Sequence, residues 1–239
     1  MLPIKISLTG LLLLTLVSLT PWPNATNDSR SPRGRFAELH SCELFAGSCI
    51  VSSEANELNS YVLRVWQFDD GKFRGADLRG LTVALLEEGD DNLAVADNQA
   101  SNAVVYLPPE LSSAQKSALL AWAQKQTSAK IDDSHVKIAA QQVKIGPGNV
   151  QFCAGNDITF TGAPPVKCNV GGCGEMLWYE PRGAASSFAV DQLGASRIVE
   201  PLLSLKWMDH GRRTLFVGRF GDGPTSSPQI CGGTETASL

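Results

Sequence analysis

The chain has 239 residues, 43% hydrophobic and 18% charged, which excludes the apolar-poor, highly charged composition of a disordered chain and suffices for one large or two small domains. Its formal net charge is −4 and its basic residues are scattered along the sequence, so neither nucleic acid nor an anionic membrane is an expected partner. Six cysteines are too few for a disulfide miniprotein of this length, but they are even in number and invite pairing or metal binding.

Residues 1–20 carry Lys5 and then an apolar run over 6–19, about 14 residues, the length of a secretory core and short of the roughly 20 that span a bilayer as a helix. The sequence therefore predicts a signal peptide over 1–25. Pro21 and Pro23 crowd the junction, so cleavage falls between Ser18 and Ala25, with an uncleaved anchor as the alternative. Cys42 is too far from the apolar run to be a lipidation site. Residues 26–35, rich in Asn, Ser, Pro and Arg, read as a flexible tether. No second apolar segment of spanning length follows, so the expected location is periplasmic or secreted, without membrane contact unless the leader is retained.

Residues 61–68 (Tyr-Val-Leu-Arg-Val-Trp-Gln-Phe) alternate and are rich in β-formers, and Asp69-Asp70-Gly71 supplies a tight turn for the return strand. Two apolar runs, 81–87 and 103–107, read as buried strands. Beyond Pro108-Pro109, Ser112 or Ser113 caps a helix to about Ser128, with Leu111, Ala114, Ala118, Leu119, Trp122 and Ala123 on one face. Residues 135–145 alternate again, Gly146-Pro147-Gly148 turns the chain, and 150–152 and 157–161 are further strands. Past Gly162 the composition shifts to Gly, Pro and Cys. There only 176–179 and 213–220 give strong strand signals, with a weak helix near 199–205 and a loose tail from 221. The expected fold is α+β: a mainly antiparallel β-sheet with one covering amphipathic helix.

The order of Glu38-Leu-His-Ser-Cys42, Cys49, a strand with Trp66, the segment Asp-Asp-Gly-Lys-Phe-Arg-Gly-Ala-Asp-Leu-Arg-Gly-Leu over 69–81 and a proline-capped helix resembles the DUF1326 family of uncharacterised bacterial proteins. Phe73, Asp77, Leu78, Gly80 and Leu81 fit its recurring pattern. Cys168 and Cys173 running into Leu177-Trp178-Tyr179, and the ending 216–220, resemble its exported, longer members. The resemblance covers roughly 36–221. It implies a DUF1326-like α+β domain over 36–162, a Cys/Gly-rich C-terminal extension over 163–221 packed on it, and a tail over 222–239. It brings no established activity, and the spacing Cys168-x4-Cys173 with Met176 departs from the family's loop.

Sulfur is the most informative chemistry: Cys42-x6-Cys49, Cys153, Cys168-x4-Cys173 and Cys231. In an oxidising compartment the default fate of such thiols is a disulfide. The sharper reading is a soft-metal site for copper or zinc, since thiolate and thioether donors suit Cu(I), or Zn where thiolates dominate. Cys42, Cys49, Cys168, Cys173, Met176 and His40 are its candidate ligands, and His210 beside Met208 is a further donor pair. A thiol-disulfide redox protein on Cys42 and Cys49 is the rival, and a disulfide-stapled scaffold for a protein partner the third reading. His135 reads as an ordinary strand-end histidine, and Asp69-Asp70, Glu87-Glu88, Asp90-Asp91 and Asp132-Asp133 as solvated surface charges at turns. Trp66, Trp122, Trp178 and Trp207 are expected in the core. G-x-S-x-G, H-E-x-x-H, G-x-x-x-x-G-K-[ST] and G-x-G-x-x-G are all absent, so a binding or accessory role is expected over an enzymatic one.

Overall fold

The structure, a computed structural model, describes residues 30–47, 59–164, 175–177, 179–183 and 185–221, with backbone alone at 45–47 and 175–176. The expected signal peptide, Cys49, Cys168, Cys173, Cys231, Trp178, the Met176 side chain and the tail from 222 lie outside the described residues.

The strands are β1 (Arg33–His40), β2 (Phe45–Gly47), β3 (Tyr61–Asp70), β4 (Lys72–Phe73), β5 (Ala76–Asp77), β6 (Thr82–Glu88) and β7 (Asn102–Leu107). The helix α1 (Ser113–Lys125) follows, and then β8 (Val136–Ile138), β9 (Gln141–Lys144), β10 (Gln151–Ala154), β11 (Ile158–Ala163), β12 (Glu175–Leu177), β13 (Ser187–Glu200), β14 (Leu205–Asp209) and β15 (Leu215–Phe220). The main sheet runs β8-β7-β6-β3-β1-β15-β13-β11-β10-β9, with β14 also on β13. Every pairing in it is antiparallel except β7 with β8.

Only Ala139 and Ala140 separate β8 from β9, the two ends of that order. The sheet therefore curls until both ends meet on one run of chain, with Ala139 N–H donating to Leu107 O and Gly155 N–H to Ala140 O. Its inner face encloses Leu39, Leu63, Leu86, Val104, Phe152, Phe160, Ile198 and Val217. The outer face of β1, β3, β6, β7 and β15 carries Phe36, Trp66, Phe68, Val83, Leu85, Val105 and Phe216, covered by Ala118, Leu119 and Ala123 of α1. Strand alternation explains the division, since successive side chains point to opposite faces and both faces here are buried.

The described residues thus form a mainly antiparallel sheet with one covering helix. Ser112 caps α1 through a capping box with Gln115, and the helix ends at Lys125, one turn short of the expected end. Gly71, at φ +109°, does turn the chain. The reversal itself comes at Arg74 and Gly75, whose φ angles of 49° and 81° suit a two-residue hairpin between β4 and β5. The alternating stretch 135–145 is two strands broken at the paired alanines. The weak helix near 199–205 is a 3-10 turn, Pro201–Leu203, leading into β14. Residues 187–220 supply three strands to the same sheet, with β15 seated between β1 and β13. No helix among the described residues is long and apolar enough to cross a membrane.

Candidate functional site

On the outer face, where β1, β3 and β6 lie side by side, the apolar rows are interrupted by ionisable side chains. Glu38 and His40 follow Phe36 on β1, Arg64 lies between Val62 and Trp66 on β3, and Glu87 follows Val83 and Leu85 on β6. Glu38, His40 and Glu87 are fully buried and Arg64 is 2% exposed. Glu87 corrects the sequence reading: it is no surface charge at a turn but the last residue of β6 on the buried outer face.

His40 is saturated. Nε2 lies 2.6 Å from Glu38 Oε1 and Nδ1 lies 2.8 Å from Asn59 Nδ2. Asn59 Oδ1 accepts from Ser41 N–H at 2.7 Å and from Ser41 Oγ at 2.9 Å, so its amide nitrogen faces the histidine. Nδ1 is therefore an acceptor, the ring proton sits on Nε2, and it is donated to an ionised Glu38. With His40 neutral, Glu38 and Glu87 balance Arg64 and Arg182, which is how a buried ionic cluster avoids an uncompensated charge.

The second guanidinium comes from outside the sheet. Arg182 N–H donates to both Glu38 oxygens, at 2.9 and 3.1 Å, and its guanidinium donates to the carbonyls of Leu93, Val95 and Asn98. One residue thus ties segments 89–100 and 179–186 to β1. Arg64 meets Glu87 at 2.6 Å, donates to Gln126 O at the end of α1, and lies 5.1 Å from the Trp66 ring centroid. Burial pushes the Glu38 carboxyl up, but the hydrogen bond from His40, the Arg64 charge and the Arg182 N–H outweigh it and hold the group below the ordinary carboxylate range. Glu87 Oε1 and Thr214 Oγ1 have no hydrogen-bond partner among the described residues.

A second cluster closes the inner side. Tyr106 OH on β7 donates to Glu200 at the end of β13, and Lys137 Nζ on β8 lies 2.8 Å from Glu200 and 3.0 Å from Asp157. Leu202 N–H takes the other Glu200 oxygen at 2.9 Å. Burial, and then the Glu200 charge, push the Tyr106 hydroxyl far above its ordinary value. The first cluster is enclosed, while the second opens to solvent through Lys137 and Asp157, 26% and 40% exposed; both join separate elements of the sheet. Neither was visible in the sequence, because their members come from four or more separated segments.

The sulfur candidates are distributed differently. Cys42 is 1% exposed just past β1, and Cys153 lies on β10 opposite Thr159 and Gln142. His40 would have to surrender a hydrogen bond to ligate a metal. Met208 is 66% exposed on β14, with His210 exposed just beyond it, and His135 pairs with Asp132 at 2.7 Å. Among the described residues no three His, Cys, Asp or Glu side chains converge on a metal-sized centre. One pairing bears on the remaining sulfurs: β2 and β12 form a two-stranded ladder aligning Gly47 with Glu175, Ala46 with Met176 and Phe45 with Leu177. Trp66 and Trp207 are buried, and Trp122 stacks edge-on against Phe68 and Phe73. A groove runs beside α1, lined by Arg74, Lys116, Leu120, Ile131, Asp132 and Val136.

No protein-family model, curated protein or solved structure matches the chain.

Proposed function

We propose that the chain is an exported, non-enzymatic binding or accessory protein of the DUF1326 kind that takes a soft metal ion, copper(I) or zinc, on sulfur. The observation that carries the reading is the β2–β12 ladder. Its end residues Gly47 and Glu175 each stand two residues from a cysteine, Cys49 and Cys173, while Cys42 precedes β2 and Met176 belongs to β12. Two sequence segments more than 100 residues apart thus pair within two residues of a cysteine on each, and Cys168 precedes Cys173 by five positions in the sequence. Thiolates with a thioether form a donor set for Cu(I), and thiolates alone one for zinc. His40 is left out of the set because Glu38 and Asn59 occupy both its nitrogens.

The same ladder favours a second reading. The approach of the two segments at Gly47 and Glu175 also suits a disulfide between their cysteines, which would stabilise by about 2–4 kcal/mol. A redox enzyme built on Cys42 is disfavoured, since a thiol 1% exposed is inaccessible to a partner disulfide.

Intact mass of the protein from its own compartment, before and after reduction, with metal analysis and thiol alkylation alongside, separates these readings. Bound copper or zinc that shields Cys49, Cys168 and Cys173 from alkylation is the expected result. Absence of metal together with a mass gain on reduction transfers the assignment to disulfides. Full-length protein in the cytoplasm, metal-free and fully reduced, overturns both.

A further inference from the structure

We infer that the end of the sheet where the chain enters β1 is a docking face for an anionic phospholipid bilayer. Cations dispersed in the sequence meet there. Arg33, at 3.2 Å, and Arg79, at 2.9 Å, share Asp70, which Arg30 also approaches to 3.5 Å. Arg35 lies 2.9 Å from Asp69, and Arg219 approaches Asp69 to 3.6 Å. Lys72 and Asp77 complete a small hollow with Arg30, Asp70 and Arg79. Among the described residues, six cations therefore gather about three carboxylates, in a chain whose formal net charge is −4. The Arg33 and Arg79 side chains are 44% and 67% exposed, so guanidinium edges remain open to solvent beside Asp70, whereas Arg35 spends its three nitrogens on Asp69 and the Ile145 carbonyl.

Phosphate is the ligand these groups fit, because side-by-side exposed cations attract the single negative charge that each phosphodiester carries. The rest of the molecule is the more acidic for this concentration of charge, and a negatively charged plane repels it. This cation-rich end is the one that such a plane attracts. A bilayer is the occupant whose charge complements this face, and here the inference rests on the export reading of the leader.

The test is flotation of the exported protein with vesicles of phosphatidylglycerol in phosphatidylcholine, against phosphatidylcholine alone, at low and high salt. Binding only to the anionic vesicles, abolished by salt, is expected. Arg33→Gln and Arg79→Gln should each weaken it by about fivefold. Arg33→Lys and Arg79→Lys, which keep the charge, should retain binding, and thermal melts establish that all four variants fold. Equal binding to neutral vesicles, indifference to salt, or unchanged binding by both Gln variants overturns the inference. So does binding to soluble heparin without binding to vesicles, which assigns the face to a macromolecular polyanion. Finding the chain in the cytoplasm would instead remove the export reading, whatever the vesicles show.

Discussion

Glu87 and Arg64 are each costly to bury alone and tolerable together. Glu87→Gln leaves the buried Arg64 guanidinium without the carboxylate it contacts and the cluster with one uncompensated positive charge, and is expected to destabilise by about 3–5 kcal/mol, read from the urea midpoint. Arg64→Met with Glu87→Leu should recover most of that loss, because the pair then becomes ordinary core. Glu38 sets the acid limit. Held below the usual 4.5, it is still ionised in the folded chain at a pH where the unfolded chain has taken up a proton. Its contribution is therefore complete above that value and disappears as pH falls through the lower folded one. Unfolding free energy followed from roughly pH 6 to pH 3 should drop less steeply in Glu38→Gln than in the native protein, and equal slopes would refute the assignment. The strand alternation Val62-Arg64-Trp66 was open to inspection in the sequence. The fate of His40 was not, since its partners sit at 38 and 59, and the N–H that completes Glu38 sits at 182.

Elements with a strong local signal were legible: α1, announced by its prolines and cap, and β3, β6 and β7, rich in branched and aromatic residues. β13 was not. Ala189, Gly194, Ala195 and Ser196 are weak strand formers, and the strand exists because β15 pairs with its first half and β11 and β14 with its second. The irregular segments depend on still longer-range help. Residues 89–100 have few hydrogen bonds of a regular element, and Arg182 supplies donors to three of their carbonyls. Arg182→Ala should leave α1 and the central strands protected while amide exchange over 92–98 accelerates by an order of magnitude or more, about 1.4 kcal/mol of local opening. Unchanged exchange there would mean that the loop is held by packing alone.

At the scale of the whole molecule, closure depends on how two halves of one sheet are joined. The ends meet through 139–140, and the Tyr106, Lys137 and Glu200 cluster fastens β7 and β8 to β13 on that side. On the other side the only connection in the sheet order is β15, between β1 and β13. There the chain carries Gly218, opposite Phe36 on one neighbour and Phe188 on the other. A Cβ at this glycine would stand 2.0 Å from Ser187 O and 2.7 Å from Phe36 Cε1, and the first of these is backbone that can retreat only by parting β13 from β15. Gly218→Ala is expected to cost about 3 kcal/mol or more, lowering the thermal midpoint by roughly 6–12 °C for a domain of this size. Gly75→Asn is the contrasting case. Its φ of +81° is one that asparagine tolerates and its Cβ meets nothing within 4 Å, so its midpoint should move little. Similar losses at both positions would show that glycine is needed for turns alone. A loss confined to Gly218 locates the weak seam of the curled sheet between its two halves.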